Sequence, residues 1–236
     1  MIKRLDRILS ENMNISRKDA RKMICGGKVQ VNENVCVQCD FKADGEKDEI
    51  RVEGREIICR EHIYIMMNKP AGVISASEGG REKTVIDILP QELKRKGLFP
   101  AGRLDKDTVG FMLITDDGEF AHNILSPRHH VKKTYIASLE KPMTKENVEE
   151  FRRGVTLGDG TECLSAEAEM TGELTAKVVL SEGRYHQVKR MFAAQGNRVL
   201  SLKRTSIGAL ELDEGLQAGE CRLITPDELK MVTEGK

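Results

Sequence analysis

The sequence predicts an α+β protein in two parts. A small α/β module occupies residues 1–60. A larger domain over residues 61–236 is built on a mixed, largely antiparallel sheet flanked by helices. Three observations predict this. Helical stripes and strand-like alternations are interspersed, turn and hairpin signals recur throughout, and the texture changes at His62, where charge-rich chain gives way to apolar chain. Of the 236 residues 39% are hydrophobic, enough for a core in each part, and 32% are charged, which gives a wet surface.

In the small module Leu5, Ile8 and Leu9 form a short helical stripe. Ser16, three residues ahead of Asp19, starts a second helix with a capping arrangement, and Gly26-Gly27 ends it. Residues 28–37 alternate on both sides of Asn32-Glu33-Asn34 and read as a hairpin. Residues 40–56 are charge-rich and are expected at the module's outer edge and in a linker. In the larger domain, residues 62–67 are strand-like and Pro70 follows them. Residues 84–96 are apolar in part, but Pro90 limits any single long helix. Residues 111–114 make a buried strand, Asp116-Asp117-Gly118 a turn and residues 119–125 a short helix. A strand over 133–139 precedes a helix over 144–153 closed by Gly154. Residues 157–160 form a hairpin turn, and alternation around Ala168 and Val178 gives two further strands.

No apolar run approaches the length of a membrane span, and the first residues carry charges rather than a signal-peptide block. A cytoplasmic protein with no membrane partner is expected. The six cysteines suggest reduced thiols. Cys36-x-x-Cys39 lacks the second paired knuckle of a structural zinc site, so no metal is expected. Net charge is zero, yet the charge is clustered. Residues 1–30 carry eight bases against three acids, with Arg17, Lys18, Arg21 and Lys22 on the second helix. Residues 181–206 carry six bases against Glu182 alone. Such clusters are either phosphate footprints or solvated helix faces.

Three segments could carry chemistry. In Gly102-Arg103-Leu104-Asp105-Lys106-Asp107-Thr108, a carboxylate beside cations precedes a buried strand. Asp105 held there stays ionised and can act as nucleophile or base, although a polar turn capping the strand has the same pattern. In the segment 126–135, Arg128, His129, His130, Lys132 and Lys133 precede Tyr135 with no acid among them. Adjacent histidines on an extended chain point to opposite faces, which favours phosphate contact over metal ligation. Tyr135 is either core or a ring for a nucleobase. In the segment 182–192, a helix beginning near His186 sets His186, Lys189 and Arg190 on one face and Val188, Met191 and Phe192 on the other.

Asn68-Lys69-Pro70, GRLDKDT, TDDG, SPRHHVKKTY and EGRYHQVKRM occur in the order and spacing of the RsuA-type pseudouridine synthases, which the chain resembles along essentially its whole length. The residues before Asn68 resemble the small RNA-binding domain first seen in ribosomal protein S4. The resemblance implies isomerisation of one uridine in small-subunit (16S) rRNA, with a large-subunit target or a non-catalytic assembly factor as the alternatives. It implies Asp105 as the catalytic carboxylate, Tyr135 as the tyrosine packed against the target base, and Lys189 as the cation paired with the carboxylate. Lys189 lacks the bidentate fork of the arginine found in other branches. Arg103, with Leu104, is expected to help extrude the base, since the reacting bond is out of reach in a stacked helix. Arg17, Lys18, Arg21, Lys22, Lys69, Arg128, His129, Arg184, His186 and Arg190 are expected to contact RNA. Asp107 and Thr108 are expected to support the turn. The chemistry is an isomerisation that needs no cofactor, and a monomer acting on RNA or an assembly intermediate is expected.

Overall fold

The computed structural model describes residues 2–233 apart from 14, 46, 58, 60, 127 and 128. The chain folds into two compact units, residues 1–63 with 89–98, and residues 64–88 with 99–236. A single division at residue 60 has no place for the return of residues 89–98 to the first unit. That return carries a 3-10 turn at Gln91–Leu93, directly behind Pro90, in place of a longer helix.

The first unit holds β1 (Ile2–Arg4), α1 (Leu5–Asn12), α2 (Arg17–Cys25), β2 (Val29–Val31), β3 (Asn34–Val35), β4 (Lys42–Asp44), β5 (Ile50–Val52) and β6 (Arg55–Glu56). The Ser16 side chain accepts a hydrogen bond from the Asp19 amide and caps α2. Asn32 and Glu33 both take positive φ, the conformation of a two-residue hairpin turn between β2 and β3. Residues 40–56 are not a linker: β4 pairs with β1 and β5 with β2. Their charges alternate with Ala43, Ile50 and Val52, which join Leu5, Leu9 and Ile24 in this unit's core. Of the cysteines, Cys39 lies against Cys25 rather than Cys36, with 3.1 Å between the sulfurs.

The second unit runs β7 (Tyr64–Lys69), β8 (Phe99–Pro100), β9 (Val109–Thr115), α3 (Gly118–Leu125), β10 (Lys133–Leu139), α4 (Lys145–Arg153), β11 (Glu167–Gly172), β12 (Thr175–Leu180), α5 (Gln187–Ala194), β13 (Val199–Ile207), β14 (Leu210–Glu211), β15 (Cys221–Leu223) and α6 (Pro226–Thr233). Its sheet has the order β11-β12-β10-β13-β9-β7-β15, with β8 on β9 and β14 on β13. Among these described strands only β9 and β13 pair in parallel, so the sheet is mixed and largely antiparallel. The parallel contact is close. Gly110 has φ +98°, and a Cβ there would lie 2.3 Å from the Arg204 carbonyl. Phe111, Leu113, Ile124, Ile207 and Ile224 share one buried cluster. The tilted ring pair Phe151–Phe192 packs α5 toward α4, with centroids 5.0 Å apart.

Candidate active site

Asp105 sits on the loop between β8 and β9, fixed by backbone contacts on both sides. Ser75 Oγ accepts from the Leu104 amide (3.0 Å) and donates to the Leu104 carbonyl (2.9 Å). Beyond Asp105, the Gly72 amide donates to the Lys106 carbonyl at 2.8 Å. Lys69 completes the clamp. Its Nζ donates to the carbonyls of Pro70 (3.0 Å), Lys106 (3.3 Å) and Thr108 (2.9 Å). Lys69 is fully buried, so the expectation that it contacts RNA is corrected: its ammonium holds the Asp105 loop from beneath. Burial lowers its pKa to about 8 against the pull of Asp107 and Asp105.

Opposite this loop stands α5. Glu182, 6% exposed, ties down the turn before it by accepting from the Leu164 amide, Arg184 Nε and Gln187 Nε2 at 2.9, 3.0 and 2.6 Å. The lone acid in a basic segment is thus an anchor, the one sign of it that the sequence carries. His186 caps α5 in the left-handed conformation (φ +48°), a strained state for a non-glycine residue. Val188, Met191 and Phe192 face the core, leaving His186, Lys189 and Arg190 on the other face as the spacing predicts.

Loop and helix meet at the carboxylate. Lys189 Nζ lies 3.0 Å from Asp105 Oδ2, and His186 Nε2 lies 3.3 Å from Oδ1. Lys189 also reaches Asp107, at 2.6 Å. Asp107 therefore does more than support its turn. Its carboxylate is 75% exposed and grips the cation across the gap, which lowers its pKa. Burial opposes the Lys189 charge, but hydrogen bonds to Asp107 and Asp105 outweigh it and raise the lysine pKa. Thr108 donates only a long 3.4 Å contact to Asp105 Oδ2.

A cleft of about 620 Å³ opens beside this cluster. Its lining includes Asp105 and, from the sheet face, Lys133, Tyr135, Leu180, Leu202 and Arg204. Tyr135 and Arg204 are cross-strand partners on β10 and β13. Two cations that the sequence offers only as members of basic segments are buried here. Arg204 donates from Nε to the Phe111 carbonyl at 2.8 Å, and its Nη2 has no partner among the described residues. Lys133 donates to the Ile124 carbonyl at 3.2 Å, and burial with Arg204 nearby lowers its pKa to about 8. Their positions at inward-facing points of strands are legible only once the strand register is known.

Other expected RNA contacts fare variously. Arg103 is exposed at the cleft and unpaired among the described residues, whereas Leu104 is buried, so Arg103 alone is free to enter a nucleic-acid stack. Arg184 lines the cleft while paired with Glu182, and Arg190 is held by Asp159 at 2.5 Å. His129 is half-buried and lies outside the cleft lining, and Arg128 falls outside the described residues. In the first unit Arg17 and Arg21 are half-exposed, each with its guanidinium on the buried carboxylate of Asp6 at 2.9 Å. Burial opposes the Asp6 charge, but these arginines and Arg4 hold its pKa down to about 2. Lys18 and Lys22 are exposed beside them.

Residues 63–194 match the RNA pseudouridylate synthase family, and residues 3–38 match the S4 domain. The chain belongs to the RNA pseudouridylate synthase family. It is 41% identical to the RNA pseudouridine synthase YtzG of Bacillus subtilis, covering 98% of each chain. It is 40% identical to ribosomal small subunit pseudouridine synthase A of Vibrio cholerae, over 97% of this chain and 99% of that one. The corresponding Escherichia coli protein is 39% identical over the same shares. A crystal structure of a pseudouridylate synthase superposes with a TM-score of 0.68 at 37% identity, over 97% of this chain and 99% of that chain. The S4 match begins at Lys3 and includes α2 with its four cations, so an RNA-binding module precedes a catalytic domain of the pseudouridylate synthase type.

Proposed function

We propose that this pseudouridylate synthase isomerises a specific uridine of small-subunit rRNA, with Asp105 as the catalytic carboxylate. The contact of Asp105 with Lys189 and His186 in an open cleft carries the reading. The Lys189 ammonium sets a positive charge against the carboxylate that attacks the extruded uridine. Lys189 acts as a point charge rather than a bidentate fork, and Asp107 supplies the second anchor that fixes its position. Tyr135, at the cleft floor, packs against the uracil, and Arg103 enters the stack as the base leaves it. The glycosidic bond breaks, the base turns, and a bond from ribose to carbon 5 replaces the one to nitrogen. The hydrogen at carbon 5 is lost as a proton and the freed nitrogen gains one, so that the product is an isomer of the substrate.

The small-subunit target rests on full-length similarity to proteins bearing that name, the Vibrio cholerae protein among them. The protein acts as a monomer, in the cytoplasm, on rRNA or a partly assembled subunit. The deciding experiment is release of tritium from carbon 5 of labelled uridine in small- and large-subunit rRNA. Wild type should release it from the small-subunit species alone, and Asp105→Asn should release none while still binding RNA. Binding without release by wild type, on naked and partly assembled subunits alike, would instead indicate an assembly factor.

A further inference from the structure

The chain has three tyrosines and no tryptophan, and it spends one of them on solvent. Tyr64 donates a 2.6 Å hydrogen bond to Asp117, and Tyr135 is 9% exposed on the sheet face. Tyr185 is 76% exposed at the cleft, the most exposed of the large hydrophobic side chains among the described residues. Its ring does not wave free. It lies against the His186 imidazole with centroids 3.8 Å apart and planes 18° from parallel. The same imidazole reaches Asp105 from its Nε2 at 3.3 Å. A stack therefore runs outward from the reacting carboxylate, through His186, to an open aromatic face.

The mount under this ring is stiff. The Arg184 amide donates to Gln187 Oε1 at 2.8 Å, and Gln187 is in turn bound to the buried Glu182. His186 holds its left-handed conformation between the stack and the first turn of α5. An exposed, pre-oriented ring is what single-stranded RNA uses as a stacking platform, since every nucleobase offers a π-face. Packing within the fold does not account for the ring, because most of its surface touches no protein.

We propose that Tyr185, backed by His186, is a stacking subsite for a nucleobase neighbouring the extruded uridine. The inference rests on the reading of the cleft as a uridine site, and it adds a second base-binding position outside it. The subsite takes a base by its face and is tolerant of base identity. It holds the flanking strand open at the mouth of the cleft while the target base is inside.

Two measurements test it. The first is steady-state tritium release from small-subunit rRNA by wild type, Tyr185→Phe and Tyr185→Ala. Loss of one base–aromatic stack raises KM about tenfold. Tyr185→Ala should show that rise with kcat within about twofold of wild type, and Tyr185→Phe should restore wild-type values. Equal loss in both variants would assign the contact to the hydroxyl and overturn the platform, as would an unchanged KM or a fall in kcat alone. The second uses Tyr185→Trp, which places the chain's sole tryptophan on the rim. Single-stranded oligouridylate should quench its emission as the RNA binds. Constant emission at RNA concentrations that saturate binding by anisotropy would overturn the proposal. If wild type releases no tritium from any rRNA, the catalytic reading has failed, and the quenching titration still decides the platform.

Discussion

At the scale of single residues, Lys189 divides its charge between two carboxylates, and the shorter contact goes to the exposed one. Removing that anchor should cost catalysis without unfolding the protein. Asp107→Asn is expected to lower single-turnover label release about tenfold, as for a lost charge-assisted hydrogen bond. Lys189→Arg on the Asp107→Asn background should recover most of it, because a guanidinium grips Asp105 with two parallel donors. Lys133 shows the converse, a residue whose burial serves the site at the expense of the fold. Its folded pKa lies at about 8 against 10.5, so the unfolded chain binds more protons between those values. The penalty is complete below pH 8 and is relieved as pH rises to 10.5. Lys133→Met should therefore stabilise the protein at pH 7 by about 1 to 2 kcal/mol, after allowing for the bond lost at the Ile124 carbonyl. Urea midpoints of variant and wild type should converge toward pH 10.5, and the variant should lose activity.

At the scale of elements, the site depends on one irregular crossing, the parallel approach of β9 to β13. Gly110 permits it, with positive φ and no room for a Cβ. Gly110→Ala should cost more than about 3 kcal/mol in denaturant melts, because either the strands part or the backbone strains. Activity should fall further than stability explains, since Asp105 enters β9 through this turn. The helices were legible in advance at α2 from its cap and closing glycines, at α3 from the turn before it, at α4 from its closing glycine and at α5 from its apolar spacing. Residues 40–56 were not. Strands of two or three residues give a period-2 pattern too few points to register against their charges. Beyond residue 199, Thr225-Pro226-Asp227-Glu228 carries a capping-box signal for α6. It is realised where the Glu228 amide donates to Thr225 Oγ1 at 3.3 Å and the Thr225 amide donates to the Glu228 carboxylate at 2.9 Å. By contrast, β13, β14 and β15 emerge only from the sheet.

At the scale of the whole molecule, zero net charge conceals local cationic surfaces, and these rather than the balance set the partner. In the S4 module the exposed pair Lys18 and Lys22 flanks arginines already committed to Asp6. Replacing both lysines with Gln should raise KM, leave kcat unchanged and flatten the slope of log affinity against log salt by about one for each lysine. Fluorescence anisotropy across a salt series measures it. An unchanged slope would move the phosphate contacts elsewhere on the chain.

The sequence by itself determined the family, the α+β class, the pairing of Asp105 with Lys189 and the amphipathic helix that presents the lysine. The class and the helix are written in local spacing, where neighbours along the chain are neighbours in space. The pairing of Asp105 with Lys189, far apart along the chain, came from the motifs and the family resemblance they carry. Only the tertiary structure decided that Lys69 is a buried clamp, that Asp107 serves Lys189, that Leu104 is withdrawn and that Lys133 and Arg204 face the cleft. Each depends on which strand lies beside which and on the side to which an alternating residue turns. A shift of one residue in register reverses that side, so composition and spacing cannot supply it.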